Sequence, residues 1–112
     1  VSSSAVSALD EVLNYPNPFT SRTAFQFRHK YPGQLLDVQI QIYTVSGALV
    51  KTLLARQSSD GNLVSGIEWD GRDDFGDQLA KGVYVYKVAA KLVGSSNTGT
   101  SDSNYEKLVI LR

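Results

Sequence analysis

The densest group of chemically active side chains lies at residues 70–77, where four aspartates occur within eight residues. Closely spaced carboxylates are the ligands that a hard cation such as calcium requires. The spacing departs from the helical calcium loop, because Arg72 stands in the place of the third ligand and Phe75 in that of the glycine. We expect the aspartates to accept hydrogen bonds from the amides of their own turn instead. The alternative is a calcium site formed by Asp70, Asp73, Asp74 and Asp77.

The residues of most nucleophilic and metal sites are nearly absent. His29 is the single histidine, the chain has no cysteine, and no serine lies in a G-x-S-x-G turn. The acids cluster in one loop, so no two carboxylates are expected to face each other across a cleft as glycoside hydrolysis requires. We therefore predict that the domain is not an enzyme and needs no cofactor.

Size and charge bound the remaining functions. A chain of 112 residues suits one domain with one core. The 11 basic and 11 acidic residues cancel, which disfavours nucleic acid as a partner and attraction to an anionic membrane. No apolar run approaches the ~20 residues of a membrane-spanning helix, so we expect no direct membrane insertion. The serine-rich start predicts a linker from a larger parent over residues 1–9, followed by a domain over residues 10–112.

The elements that must position these side chains are strands. Short runs rich in valine, isoleucine, tyrosine and phenylalanine alternate with turn residues, and no segment keeps a helical period. Counting gives about seven strands, which predicts an all-β, immunoglobulin-like antiparallel β-sandwich without the Cys…Trp…Cys signature. The prolines of the segment PNP at residues 16–18 predict a corner at the sandwich edge. Residues 94–104 are polar and serine-rich, which predicts a loop.

Alternation along each strand predicts which side chains are buried. In residues 38–42 two glutamines alternate with apolar residues, so a slip of one residue would bury both. If Lys87 faces solvent, the even-numbered residues of the same strand face the core. The tyrosine nearest the start of that strand can then hydrogen-bond to a nearby loop through its hydroxyl. The predicted core side chains are Phe25, Phe27, Val38, Ile40, Ile42, Trp69, Tyr84, Tyr86, Val88 and Ala90.

The last strand, predicted over residues 105–111, is apolar on both faces. Leu108 and Ile110 share one face, while Val109 and Leu111 share the other. One pair can fill the core, but then the other pair faces water without an evident structural reason. A terminal strand paired on one side only would also offer unpaired backbone groups to a partner. The predicted partner-binding residues are Lys107, Leu108, Val109, Ile110, Leu111 and Arg112.

Short motifs occur in a fixed order along the chain. They are NYPNPF at 14–19, IY at 42–43 with SG at 46–47 and Val50, WDGRD at 69–73 with Gly76, GVY at 82–84 and KLVILR at 107–112. This ordered set resembles the C-terminal sorting domain of type IX secretion substrates. The resemblance covers residues 10–112, and residues 38–51, 69–76 and 105–112 are most similar to the end of the PorU-type sortase, a gingipain-like cysteine peptidase.

The resemblance implies a module at the end of a larger exported protein. Such a domain is recognised by the type IX translocon and by an outer-membrane barrel shuttle of the PorV type, and it passes through the periplasm to the outer-membrane surface or the exterior. In ordinary substrates a sortase removes it. In the PorU-type sortase it stays and tethers the peptidase, whose catalytic residues would lie outside this chain.

Two other functions are compatible with the sequence. The first is a carbohydrate- or calcium-binding sandwich accessory to an enzyme. The second is a structural spacer, or a cap-type immunoglobulin-like domain of the kind found in flagellar hook assembly factors. The W-D-G and G-x-Y motifs of such domains are similar to those of this chain. In addition, an exposed sandwich edge predicts that the isolated domain can pair or swap strands with a second copy.

Overall fold

The computed structural model describes residues 9–58, 60–93, 101–103 and 105–111. Over these residues the chain forms strands and no helix. These residues therefore include no helix that is long and apolar enough to cross a membrane. Seven strands have five residues or more and an eighth has two, which confirms the predicted all-β class. They are β1 (Asp10–Tyr15), β2 (Thr23–Arg28), β3 (Leu35–Thr44), β4 (Leu49–Ser58), β5 (Leu63–Trp69), β6 (Gly82–Leu92), β7 (Ser101–Asp102) and β8 (Glu106–Ile110).

The strands form two antiparallel sheets. Sheet A has the order β1-β2-β5. Sheet B has the order β4-β3-β6, and both β7 and β8 pair with the far side of β6, with β7 at Ala89–Ala90 and β8 opposite Gly82–Tyr86. Strand β8 is therefore an edge strand of sheet B, as the position of a terminal strand predicts.

The core lies between the two sheets and follows the period of two along each strand. In β3, Val38, Ile40 and Ile42 are buried, whereas Gln39 and Gln41 lie on the solvent face. The predicted core side chains of β2, β5 and β6 are buried as well, which confirms the facing of each of these strands. The buried apolar set is Leu9, Phe19, Phe25, Phe27, Leu36, Val38, Ile40, Ile42, Val64, Ile67, Trp69, Tyr84, Tyr86, Val88, Ala90, Leu108 and Ile110.

Two predicted boundaries differ from the structure. Leu9, assigned to the linker, is 4% exposed and packs in the core, so the domain begins at least one residue earlier. The polar segment 94–104 is not a loop throughout, because Ser101–Asp102 forms β7. The Ser103 amide donates to the Val88 carbonyl at 2.8 Å, and the Val88 amide donates to the Ser103 Oγ at 2.8 Å, so a polar side chain continues the ladder. The rest of the predicted linker, residues 1–8, and residues 94–100 and 104 of the predicted loop lie outside the described residues.

Candidate partner-binding surface

The outer edge of β8 is closed by the side chain of Asn17. Its Nδ2 donates to the Lys107 carbonyl at 3.0 Å, and its Oδ1 accepts from the Val109 amide at 3.0 Å. A side-chain amide presents an N–H donor beside a carbonyl acceptor, as a peptide group does. Asn17 therefore replaces one residue of a neighbouring strand.

Phe19 continues this closure with its backbone. The Phe19 amide donates to the Val109 carbonyl at 3.0 Å, and the Leu111 amide donates to the Phe19 carbonyl at 2.7 Å. Phe19 also forms a parallel bridge with Ile110. The expected row of unpaired backbone groups along residues 107–111 is therefore wrong, because the corner between β1 and β2 takes the place of the missing strand.

A buried polar network holds this corner in place. The Asn14 Nδ2 donates to the Thr23 Oγ1 at 3.0 Å, and that hydroxyl donates to the Pro16 carbonyl at 2.8 Å. Asn17 donates to the Asn14 Oδ1 at 3.1 Å. Asn14 and Thr23 are buried, so each of these bonds compensates a desolvated polar group. Sequence reasoning did not assign a role to these side chains, although the NYPNPF motif at residues 14–19 contains two of them.

The side chains of β8 divide between the core and the outer face of sheet B. Leu108 and Ile110 are both 0% exposed and fill the core. Lys107, Val109 and Leu111 face outward, and Leu111 is 49% exposed. The excess apolar pair predicted from the sequence is therefore Val109 with Leu111. Arg112, the sixth predicted partner-binding residue, lies outside the described residues.

The outward β8 residues continue into an exposed apolar surface. Val109 lies opposite the exposed Val83 of β6, and Lys107 lies opposite Val85. The exposed ring of Tyr105 meets that of Tyr43 edge to face, with 5.8 Å between centroids. We call this surface the outer apolar stripe and define it as Tyr43, Leu49, Val83, Val85, Tyr105, Val109 and Leu111.

Cations flank the stripe. The Lys87 Nζ lies 5.7 Å from the centroid of the Tyr105 ring, within the range of a cation–π contact. Lys107 is exposed on the same face. An apolar surface bordered by positive charge is suited to a partner surface that is apolar with acidic margins.

The acidic loop binds its own backbone. The Asp73 Oδ1 accepts from the amides of Phe75 and Asp77, each at 2.9 Å, and the Asp70 Oδ1 accepts from the Arg72 amide at 3.2 Å. This confirms the turn-amide interpretation for these two aspartates. Gly71 and Gly76 have φ of 80° and 89°, as such turns require.

A third carboxylate, that of Asp74, turns toward β4 instead. Its Oδ1 accepts from the Thr52 amide at 3.3 Å and lies 3.6 Å from the Lys51 Nζ. Within the described ranges, no three carboxylate or imidazole side chains converge in a way that could hold a metal ion. The carboxylates of Asp70, Asp73 and Asp74 are thus engaged by three different sets of protein donors rather than gathered around one position.

The single tryptophan and the single histidine are both structural. Trp69 is buried against Phe19 and Phe25, and its Nε1 donates to the Arg72 carbonyl at 2.9 Å, which confirms the predicted core position. His29 is buried at the end of β2, where its Nδ1 accepts from the Tyr31 amide at 3.1 Å. Burial lowers the pKa of His29, because desolvation disfavours the charged imidazolium.

Two tyrosines of β6 support the region beneath the stripe. The Tyr84 hydroxyl donates to the Ala80 carbonyl at 2.8 Å, which confirms the predicted return to a nearby loop. Burial raises the pKa of the Tyr86 hydroxyl, and the negative charge of Glu106 raises it further. The Tyr86 hydroxyl is therefore neutral at ordinary pH.

Comparisons with known proteins agree on the architecture. The dimeric latent PorU from Porphyromonas gingivalis matches with 28% identity and a TM-score of 0.77, covering 99% of this chain and 10% of that chain. FlgD from Xanthomonas campestris matches with 21% identity and a TM-score of 0.58, covering 90% and 64%. The C-terminal domain of wzt, at 13% identity and a TM-score of 0.52, covers 96% and 75%.

These matches differ in what they establish. The FlgD and wzt structures show the fold alone, whereas the PorU match adds a sequence likeness over nearly the whole chain, which spans a tenth of PorU. No curated protein sequence matches the chain significantly. Residues 14–94 match the family described as FlgD Ig-like domain. Because this match extends over most of its length, the chain belongs to the FlgD Ig-like domain family.

Proposed function

We propose that this domain is a non-catalytic sorting and anchoring module of a larger exported protein. It directs type IX secretion across the outer membrane and docks its parent to a shuttle barrel of the PorV type at the cell surface. The parent is a PorU-type sortase whose catalytic residues lie outside this chain. The likeness to a PorU domain over 99% of the chain supports this assignment.

The observation that carries the proposal is the outer apolar stripe around β8. Its members are solvent-facing on a sheet whose other face already fills the core, so burial in the core does not account for them. A contiguous exposed apolar surface is typical of a protein-binding site. Since Asn17 and Phe19 close the backbone edge of β8, recognition uses outward side chains and not strand addition to β8.

Because β8 carries both core and outward side chains, a test of docking must leave the core side chains unchanged. Deletion of β8 removes Leu108 and Ile110 from the core, and a loss of export would then report unfolding as readily as loss of recognition. Substitution of outward side chains separates the two effects. Leu111, directly after β8, and Leu13 of β1 form a matched pair, because both are leucines of similar exposure, at 49% and 41%, and Leu13 belongs to the other sheet.

The experiment fuses a reporter ahead of the 112-residue chain in a bacterium that has type IX secretion. We expect surface display of the reporter, loss of display with L111E, and normal display with the matched control L13E. Thermal unfolding of both purified variants checks that they fold. Periplasmic retention of the unsubstituted fusion, or full display with L111E, would contradict the proposal.

A structural spacer is the second candidate, because the chain belongs to the FlgD Ig-like domain family and a spacer needs only the fold. A spacer holds neighbouring domains apart and binds no dedicated partner. Photo-crosslinking from position 109 in living cells distinguishes the two, with position 68 on sheet A as the control. Capture of an outer-membrane barrel from position 109 alone supports the docking module, and no captured partner supports the spacer.

A further inference from the structure

The sandwich protects most of its sheet edges against additional strands. In β1 the register shifts between Asp10 and Leu13, and Glu11 has a φ of 53°. In β5, Gly66 has a φ of 80° beside a second register shift. Such bulges interrupt the regular backbone pattern that a new strand would need. The edge of β8 is closed as described above.

Another edge belongs to β4, and only the first half of this edge is covered. The Asp74 amide donates to the Val50 carbonyl at 3.1 Å, and the Asp74 carboxylate accepts from the Thr52 amide. Backbone groups alternate in direction along a strand, so the groups of Leu54 and Arg56 point outward like those of Thr52. The register with β3 is unbroken from Lys51 to Ser58. Among the described residues, nothing hydrogen-bonds the outward backbone groups of Leu54 and Arg56.

The side chains beside this open edge form a surface with both apolar and charged residues. Leu54 is 77% exposed, although it lies in the middle of a strand. It borders a depression of about 550 Å³ on the outer face of sheet B. The surface combines an apolar floor with two cations and one carboxylate; the residues are Asp37, Gln39, Leu54, Arg56, Ala89 and Lys91.

The charges favour an acidic occupant. Arg56 binds Asp37 at 2.7 Å through its Nε, and no ion pair engages Lys91 among the described residues, so the depression keeps one excess positive charge. Strand β4 itself contains Lys51 and Arg56 and no acid. A second copy of β4 would therefore bring like charges together, whereas an acidic segment would bring opposite ones.

We propose that β4 binds an extended peptide segment of another protein by antiparallel strand addition at Leu54 and Arg56. The segment has an acidic side chain two residues before an apolar one. In antiparallel pairing the acidic side chain lies beside Arg56 and the apolar one beside Leu54, because the two strands run in opposite directions. This site is separate from the outer apolar stripe and does not depend on the sorting function.

Hydrogen exchange measured by NMR on the whole chain tests the proposal with the peptide acetyl-STETVTT-amide. At about ten times its Kd, the peptide should slow exchange of the Leu54 and Arg56 amides about tenfold. The Thr52 amide, already bonded to Asp74, serves as the internal control and should not change. The peptide acetyl-STKTVTT-amide should bind roughly two- to fivefold more weakly, because its lysine meets Arg56.

Two substitutions of Leu54 separate the contribution of its backbone amide to peptide binding from that of its side chain. L54P removes the outward amide without removing a bond of the β3–β4 ladder, and it should weaken peptide binding by about tenfold or more. L54A keeps the amide and should weaken binding less. If L54P does not fold, R56Q provides the second test, and it should abolish the preference for the acidic peptide.

Three results would overturn the proposal. The first is unchanged exchange at Leu54 and Arg56 in the presence of the acidic peptide. The second is equal binding of that peptide to the folded L54P variant. The third is protection of these two amides that rises with protein concentration without peptide, which would assign the edge to a second copy of this chain.

Discussion

Asn17 and Val109, 92 residues apart in the sequence, are joined by a hydrogen bond of 3.0 Å from the Val109 amide to the Asn17 Oδ1. The same side chain donates to the Lys107 carbonyl. One asparagine thus satisfies two backbone groups of the last strand and prevents that strand from presenting an open edge. The closure leaves the outward side chains of β8, rather than its backbone, open to contact.

Replacing Asn17 should open this edge. We expect N17A to lower the free energy of unfolding by about 1–3 kcal/mol, because the Val109 amide and the Lys107 carbonyl both lose their partner. N17D keeps the acceptor for Val109 but places a carboxylate oxygen against the Lys107 carbonyl and the Asn14 Oδ1, so its cost should be at least as large. Urea denaturation gives the stabilities, and faster exchange of the Val109 amide locates the effect. Equal stability of N17A and the unsubstituted chain would show that the closure contributes nothing.

The two faces of β8 should respond differently to truncation. I110A removes a fully buried side chain and should cost about 2–5 kcal/mol. L111A on the outward face should change stability by less than about 0.5 kcal/mol. Denaturant unfolding of the two variants makes the comparison. A large loss with L111A would mean that the outer apolar stripe is part of the fold rather than a free surface.

Stability should decline in weak acid because of His29. Its pKa is lowered in the folded state, so the unfolded chain binds more protons as pH falls below the ordinary value of about 6.5. The stability that neutral His29 contributes to the folded state is fully present above pH 6.5. It is lost as the pH falls toward the lowered pKa of His29 in the folded state. H29N keeps an acceptor near the position of Nδ1 and cannot titrate. The slope of unfolding free energy between about pH 5 and 6.5 should therefore be smaller in H29N, and parallel slopes would exclude His29 as its source.

The acidic loop should depend on Asp73 and not on calcium. D73A should cost about 1–2 kcal/mol, because the amides of Phe75 and Asp77 both lose their acceptor. D73N retains an oxygen at the same position and should cost less. Melting temperatures measured with calcium and with a chelator should coincide for the unsubstituted chain. A rise with calcium that D73N removes would instead support the calcium alternative.

Many of the core residues can be predicted from the sequence, because the facing of side chains along a strand depends on neighbouring residues. The alternation in residues 38–42 and the parity set by Lys87 predict which side chains are buried, and the structure agrees at each of these positions. The phenylalanines of β2 are predicted for the same reason, whereas Trp69 is predicted because a lone tryptophan that closes a strand usually lies in the core. The aspartate turns are also local, since their bonds span two to four residues.

The sequence by itself determined the β-sandwich, the inward faces of its strands and the absence of the residues that usual catalytic sites need. It also showed that β8 has one apolar pair more than a single core face requires. Only the tertiary structure decided that Leu108 and Ile110 are the buried pair, that Asn17 and Phe19 close the edge of β8, and that β4 has an open edge at Leu54 and Arg56 among the described residues. The physical reason is that a period of two is encoded between neighbouring residues, whereas an edge is open or closed according to contacts between segments far apart in the chain.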